Sequence, residues 1–427
     1  MSEGFSIFSR RCMVVALCIA TAIWISYSGM NHALAAHYAD SSNPQDWVRA
    51  AQLEPGNAAH WYRLGRYHQF DFEQTDLPLA ISYYRLALKL NPRSPYYKLD
   101  LAGALEMSGQ DGEAESYFRA AQQDFPISSE ISWKYGNFLL RQERLPEAYE
   151  EIHRAAEVSP SLIPIVVSRV WRSNADVHAL LDQVLPDTVG ADRAALTYLS
   201  QEQEALAALV VWNRLWSRKS AVDSKSLLEL LDMLLKQERY ADAETVWRQA
   251  MSLPGGPPPA LDGNSLVYDG GFEKNITGGG FGWQQTDVPG AMFDFDADNK
   301  HSGERSARIS FDGTQNLTYA YLFQQMLVTP GTHYHFRGYL RTENISTESG
   351  VRFEIFDPQA QKTLDVLTPI EKGTQPWTLE EADFTPGPRT HLVQVRVFRA
   401  PSQRFDNKIN GTVWVDDLAV IPARANP

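Results

Sequence analysis

The residues with chemical reach are few and scattered. His333 and His335, two apart, would share one face of a strand and offer two imidazoles to a metal, but no clear third ligand accompanies them. Asp294, Asp296 and Asp298 make an oxygen-rich run like a calcium loop. The run lacks the Gly at its sixth position and the Glu at its twelfth that such loops use, and reads as a solvated acidic loop. Gly278 to Gly282 does not open a helix after a strand, so it reads as a loop and not as a phosphate cradle. The chain has no nucleophile elbow, phosphate-binding loop or His-Glu-x-x-His helix, and no pair of carboxylates stands out as a glycosidase would need. Cys12 and Cys18 both lie in the apolar N-terminal stretch, which removes thiolate catalysis, Cys-ligated zinc and disulfides from everything after it. The expectation is a binding protein and not an enzyme.

The elements that carry these residues are those of an ordinary folded protein: 427 residues, 44% hydrophobic, enough for two or three domains. With 39 Lys+Arg against 52 Asp+Glu the net charge is −13, and no concentrated basic face is present, so nucleic acid is not an expected partner. Arg10 and Arg11 precede an uncharged apolar run. Basic residues before it, with Asp40 and Asp46 after it, put residues 1–11 in the cytoplasm and the bulk of the chain on the periplasmic side of an inner membrane, with residues 12–36 as a transmembrane anchor. The rival reading is a signal peptide cleaved near Ala33-Leu34-Ala35, which would release a secreted protein.

A lattice follows. Pro55, Pro92, Pro126 and Pro160 are spaced by 37, 34 and 34 residues, and Ala80, Ala114 and Ala148 by 34 and 34. Each Ala is followed at +4 by Tyr84, Phe118 or Ile152 and at +7 by Ala87, Ala121 or Ala155, one face of a helix on which small and large side chains alternate against a neighbour. Together with Trp61, Leu64 and Gly65, Leu101, Ala102 and Leu105, and Gly136 and Leu139, this resembles the tetratricopeptide repeat, a helix-turn-helix unit of 34 residues. Three extra residues fall between Phe70 and Asp76, and Trp133 stands one place from the usual aromatic position. Trp47, Ala50 and Pro55 fit a second helix without its first. Ala243, Trp247 and Ala250 restore the pattern after a degenerate stretch, 161–223. One superhelix over 44–253 is expected, its groove binding a protein partner.

The Pro/Gly stretch 254–263 reads as a linker, and 264–427 turns to short alternating segments separated by Gly, Pro, Asn and Asp. Leu266 to Glu273, Gly282-Trp283, His301-Ser302-Gly303, Trp377 and Val413 to Leu418 resemble, in order and spacing, the galactose-binding-like jelly roll of carbohydrate-binding modules. The fold class expected is therefore multidomain: an all-α tetratricopeptide-type superhelix plus an all-β jelly-roll sandwich, behind one N-terminal transmembrane helix. The resemblance implies a structural Ca²⁺ tying first strand to last, held by Glu273 and Asp416, with Asp417 and the backbone near Ser302 and Gly303. It also implies polysaccharide binding, for which Tyr319, Tyr321, Tyr339, Arg341, Phe398 and Arg399 supply rings and hydrogen-bond donors. Tyr319 and Tyr321, two apart, are expected on one sheet face, and the four Asn-x-Ser/Thr sites, at Asn275, Asn316, Asn344 and Asn410, read as turn chemistry.

These readings combine into a membrane-anchored exported adaptor of exopolysaccharide or cell-surface glycan assembly. The alternatives are a protein-binding scaffold without sugar binding and a carbohydrate-active enzyme whose site escapes motif reading.

Overall fold

The computed structural model describes residues 2–71, 75–257, 264–359 and 364–423. The three extra residues of the first repeat and most of the Pro/Gly stretch lie outside these. The chain forms two compact units, Met1–Ala191 and Asp192–Pro427.

The first unit is helical: α1 (Ser2–Ala39), α2 (Pro44–Leu53), α3 (Ala58–Phe70), α4 (Leu77–Leu90), α5 (Pro95–Met107), α6 (Asp111–Asp124), α7 (Ser129–Arg141), α8 (Leu145–Val158), α9 (Ile163–Ser173) and α10 (Val177–Ala179), which runs into a wider turn at Leu180–Val184. Starts are set by side-chain caps: Asn57, Asp76, Ser94 and Ser128 each accept a backbone N–H from the first turn that follows. Each lattice proline stands just past a helix end, after Glu54, Asn91, Phe125 and Ser159, where a missing N–H costs nothing. Consecutive helices pair as α3/α4, α5/α6 and α7/α8. Their seams use the small-large pattern: Ala80, Tyr84, Ala87, Ala114, Phe118, Ala121, Ala148, Ile152 and Ala155 are all buried. A Cβ on Gly65 would lie 2.6 Å from the Tyr84 ring, and one on Gly136 2.6 Å from Ile152 Cγ1, so both glycines are demanded by close helix approach.

The helix that α2 lacks in the lattice is the end of α1. Ala35 is fully buried, α1 packs on α2, Arg63 donates to the Ala39 carbonyl, and the Arg49 guanidinium lies 5.6 Å from the Tyr38 ring. Upstream, Cys12–Ala39 is 28 residues long and apolar enough to cross a membrane.

α11 (Val189–Gln201) spans the division between the units. In the second unit, α12 (Ala205–Ser217), α13 (Ser224–Lys236) and α14 (Tyr240–Met251) precede a sandwich of two five-stranded antiparallel sheets. The strands are β1 (Trp283–Gln285), β2 (Ala291–Asp296), β3 (Ser306–Asp312), β4 (Leu322–Leu327), β5 (Tyr334–Ile345), β6 (Arg352–Phe356), β7 (Asp365–Leu367), β8 (Gly373–Phe384), β9 (Leu392–Phe398) and β10 (Asn410–Pro422). Their order is β1-β4-β9-β6-β7 in one sheet and β2-β3-β10-β5-β8 in the other. Inward residues such as Ile309, Phe336, Phe353, Val395 and Val413 form the core between them.

The last repeat helices are fastened to this sandwich. Trp247 meets Tyr268 and Phe281 edge-on at 5.7 and 5.8 Å, Gly279 and Gly280 come against Leu228, Leu231 and Trp247 too closely to admit a Cβ, and Tyr240 stacks on His391. Within this unit the start of the Pro/Gly stretch is no extended spacer, because the Pro254 carbonyl accepts from Val222 N–H at 2.8 Å and turns the chain back.

Candidate binding sites

A cleft of about 500 Å³ in the sandwich is lined by Gly271, Glu273, Ser302, Gly303, Tyr339 and Asp417, among others. Local backbone builds it. The segment 266–270 runs along the end of β10, with Leu266 N–H on the Val420 carbonyl and Leu418 N–H on that of Gly270. Between the pairs Asp416/Tyr339 and Ala419/Arg337, β10 carries a bulge in which Asp417 has φ +51°. The bulge turns Asp417 toward the cleft where regular alternation would not. A Cβ on Gly271 would lie within 3.6–3.8 Å of Asp417 Oδ1, Asp416 Oδ1 and Glu273 Cγ. The carboxylates expected as calcium ligands thus come together beside Gly271. Asp416 is fully buried, and burial, with the neighbouring Asp417 charge, pushes its carboxyl up to about 6 despite the N–H groups of His301 and Ser302 that donate to it. Ser302 Oγ donates to Asp417 Oδ1 at 2.8 Å, and Glu304 N–H to Glu273 Oε1 at 2.8 Å. The donor set is all oxygen, which suits a hard cation, although among the described residues no three His, Cys, Asp or Glu side chains converge as a ready metal cage. His335 sits between Asp383 and Glu381 at 2.9 and 3.2 Å, with His333 3.7 Å from Asp383. The third polar partner invisible in the sequence is therefore a cross-strand carboxylate, and it serves as an ion-pair partner.

The six residues expected to hold sugar fall in three places. Tyr319 and Arg399 are corrected: they are 2% and 0% exposed and can present nothing to a ligand. Tyr319 lies in the core, and burial raises its phenol far above its ordinary range. The Arg399 guanidinium donates to the carbonyls of Ser349, Leu317 and Asn407 and to Asn316 Oδ1, tying loops together from inside. Asn316 completes this tie by bonding Ser402 through both amide atoms, so that site is turn chemistry. Tyr319 and Tyr321 differ in exposure: Tyr319 and Leu322 are both buried, with two residues between them, and Tyr321 is 36% exposed with its ring edge-on to that of Tyr319 at 5.8 Å. Tyr339 and Arg341 lie on the outer face of the β2-β3-β10-β5-β8 sheet. Tyr339 stacks on His301 at 3.5 Å, and Arg341 bonds Asn299 and covers Trp414.

Phe398 lies on the outer face of the other sheet and has company that motif reading misses. Across β4, β9 and β6 the registers Phe323/Arg396, Arg396/Glu354 and Phe398/Arg352 set rings beside long polar side chains. Arg396 pairs with Glu354 and lies 4.0 and 5.0 Å from the Phe356 and Phe398 rings. Gln325 pairs in register with Gln394. The Leu327 and Leu392 end of this face lies near Tyr240 on His391; the Tyr321, Phe323 and Phe398 end is half-buried to exposed. Alternation in 392–398 carries the signal, since the inward set is Val393, Val395 and Val397 and the outward set Leu392, Gln394, Arg396 and Phe398.

In the first unit the repeats form a groove containing two cavities, of about 490 and 310 Å³, which share Asn137, Arg141, Ile165 and Arg169. Trp133, half-buried, lines the second; its displacement in the lattice places it there and leaves Tyr135 and Phe138 to pack on Phe118.

The tetratricopeptide repeat family model matches residues 71–128 and 112–161, so the chain carries these repeats. Solved structures similar to parts of the chain include the enzymatically active domain of tailspike protein 4 of bacteriophage CBA120 (14% identity, 37% of this chain and 21% of that one, TM-score 0.27). Others are the CBM22-1 xylan-binding domain of Paenibacillus barcinonensis Xyn10C (16%, 39% and 100%, 0.27) and YrrB, a tetratricopeptide repeat protein with an unusual peptide-binding site (14%, 49% and 93%, 0.27). The chain thus spans about a fifth of the tailspike structure's length. No curated protein sequence matches the chain.

Proposed function

We propose that this protein is a non-enzymatic adaptor, held in the inner membrane by α1 with its bulk on the periplasmic side, whose repeats bind a protein and whose sandwich binds polysaccharide during exopolysaccharide or cell-surface glycan assembly. The observation that carries the glycan half is the outer face of β4, β9 and β6, where Tyr321, Phe323 and Phe398 adjoin Gln325, Arg352 and Arg396. Sugar rings need flat apolar surface for their C–H groups and fixed donors and acceptors for their hydroxyls, and this face has both across three strands. The protein half is supported by the groove and by its match to a repeat family. The anchor reading is favoured over a cleaved leader because Ala35 is buried on the part of α1 that packs on α2: cleavage after it would strip α2 of its partner.

Ca²⁺ would be held by Asp416 and Glu273, with Asp417 and carbonyls beside Gly271, and would join the first segment of the sandwich to the last strand by neutralising charges that crowd one another there. Chelation should then lower the melting temperature of the second unit, and an unchanged melting curve would remove the metal from this account.

The experiment for the function is affinity electrophoresis of the full chain, in detergent, through gels containing a panel of neutral and acidic polysaccharides. Retardation by a subset of polymers, lost in Phe323→Ala and Phe398→Ala but kept in Tyr339→Ala, is expected. Retardation by none would leave a protein-binding scaffold.

A further inference from the structure

Charges along the repeat groove do not balance. Asp100 accepts from Tyr62 and Lys134 at 2.6 and 3.1 Å, and Glu106 accepts a two-pronged pair from Arg141 at 2.6 and 2.9 Å, so each acid in the cavities already has a partner. Arg169 and Arg172, one turn apart on α9, line the larger cavity, are exposed, and have no carboxylate partner among the described residues. Two unneutralised guanidiniums on a concave surface stand out in a chain of net charge −13. Beside them Ile165 is 50% exposed, and Met107 is 55% exposed in the adjoining cavity. Met107 Sδ accepts from Gln69 Nε2 at 3.6 Å, whereas Arg169, Arg172 and Ile165 are left facing the groove.

We propose that this end of the groove is a receptor for an extended acidic segment of a partner protein, its carboxylates paired with Arg169 and Arg172 and an aliphatic side chain between them packed on Ile165. This rests on reading the repeats as a protein-binding array. Guanidinium forks match carboxylates in a bidentate geometry, which gives both attraction and register. A polypeptide is favoured over an acidic glycan because in the cavity that holds both cations the apolar side chains are the aliphatic Leu140 and Ile165, while the rings of Phe70, Phe118 and Trp133 lie in the adjoining cavity.

The test is fluorescence anisotropy of the full chain in detergent with three labelled peptides of about 12 residues, long enough to span a groove of this kind, with Leu at every third position and Glu, Lys or Ser between. The Glu peptide is expected to bind saturably. Its affinity should fall roughly tenfold or more in the Arg169→Glu/Arg172→Glu double variant and on raising salt from about 50 to about 300 mM. Arg169→Gln/Arg172→Gln, with its helical circular dichroism checked, should show an intermediate loss and covers the case in which charge reversal disturbs folding. Equal or tighter binding of the Lys or Ser peptide would overturn the acidic receptor while leaving protein binding in place. Binding of none of the three would overturn both. An oligogalacturonate that displaces the Glu peptide at equal concentration would reassign the site to anionic glycan.

Discussion

Arg399 shows how a residue type can point to the wrong chemistry. An arginine after an aromatic at the end of a strand invites a ligand role, yet this one is enclosed and hydrogen-bonded to several loop carbonyls. Arg399→Met should therefore destabilise the sandwich by about 3–5 kcal/mol, because the orphaned carbonyls keep their desolvation cost, and Arg399→Lys should not restore it, since one ammonium cannot reach the same set. Chemical denaturation of both variants checks this. Glu380 makes a second prediction. It faces inward on β8, 4% exposed, and burial together with the Glu371 charge raises its carboxyl to about 7. Because the folded value exceeds the unfolded one, its contribution is intact below the ordinary carboxylate range and is lost as pH climbs through about 7. Thermal melts should show Glu380→Gln gaining stability over the parent at pH 8 while matching it near pH 4, both pH values lying about outside the two ends of that titration. The inward pair Tyr319 and Leu322 explains why the outward aromatics were only partly legible: alternation assigns faces correctly inside a regular strand, and Tyr319 lies just outside one. Phe398, inside β9, falls on the outer face that alternation gives it.

At the scale of elements, the repeat lattice was readable because helix packing forces it. A small residue is required wherever two helices touch, and the same spacing then returns with every unit. Gly65→Ala and Gly136→Ala should each cost about 1–3 kcal/mol, since the new methyl meets Tyr84 or Ile152 well inside contact distance. Exposed Gly112→Ala, with nothing within 4 Å on its helix, should be neutral or stabilising in the same denaturation series. The partner of α2 was hidden for a physical reason. The last apolar turns of α1 meet what a bilayer span requires, so composition assigns residues up to 36 to the membrane, although Ala35 is buried and the end of the helix packs on α2. The fastening of α13 and α14 to the sandwich was equally hidden, because Trp247 satisfies the repeat pattern and the contact with Phe281 at once.

At the scale of the molecule, these features place a groove with surplus positive charge in one unit and an aromatic, polar sheet face in the other, behind a helix able to cross a membrane. Intact-mass analysis of the membrane fraction should find the chain uncleaved, and a product beginning at Ala36 would show that the first repeat loses its leading helix. The central claim is that one membrane-bound chain holds a glycan and a protein segment by separate surfaces. Flotation of vesicles carrying the full chain, mixed with a retained polysaccharide and the acidic peptide, tests it directly. The account predicts that both ligands float with the vesicles, that Phe323→Ala/Phe398→Ala releases only the polysaccharide, and that Arg169→Glu/Arg172→Glu releases only the peptide. Vesicles that carry the chain but float neither ligand would contradict it.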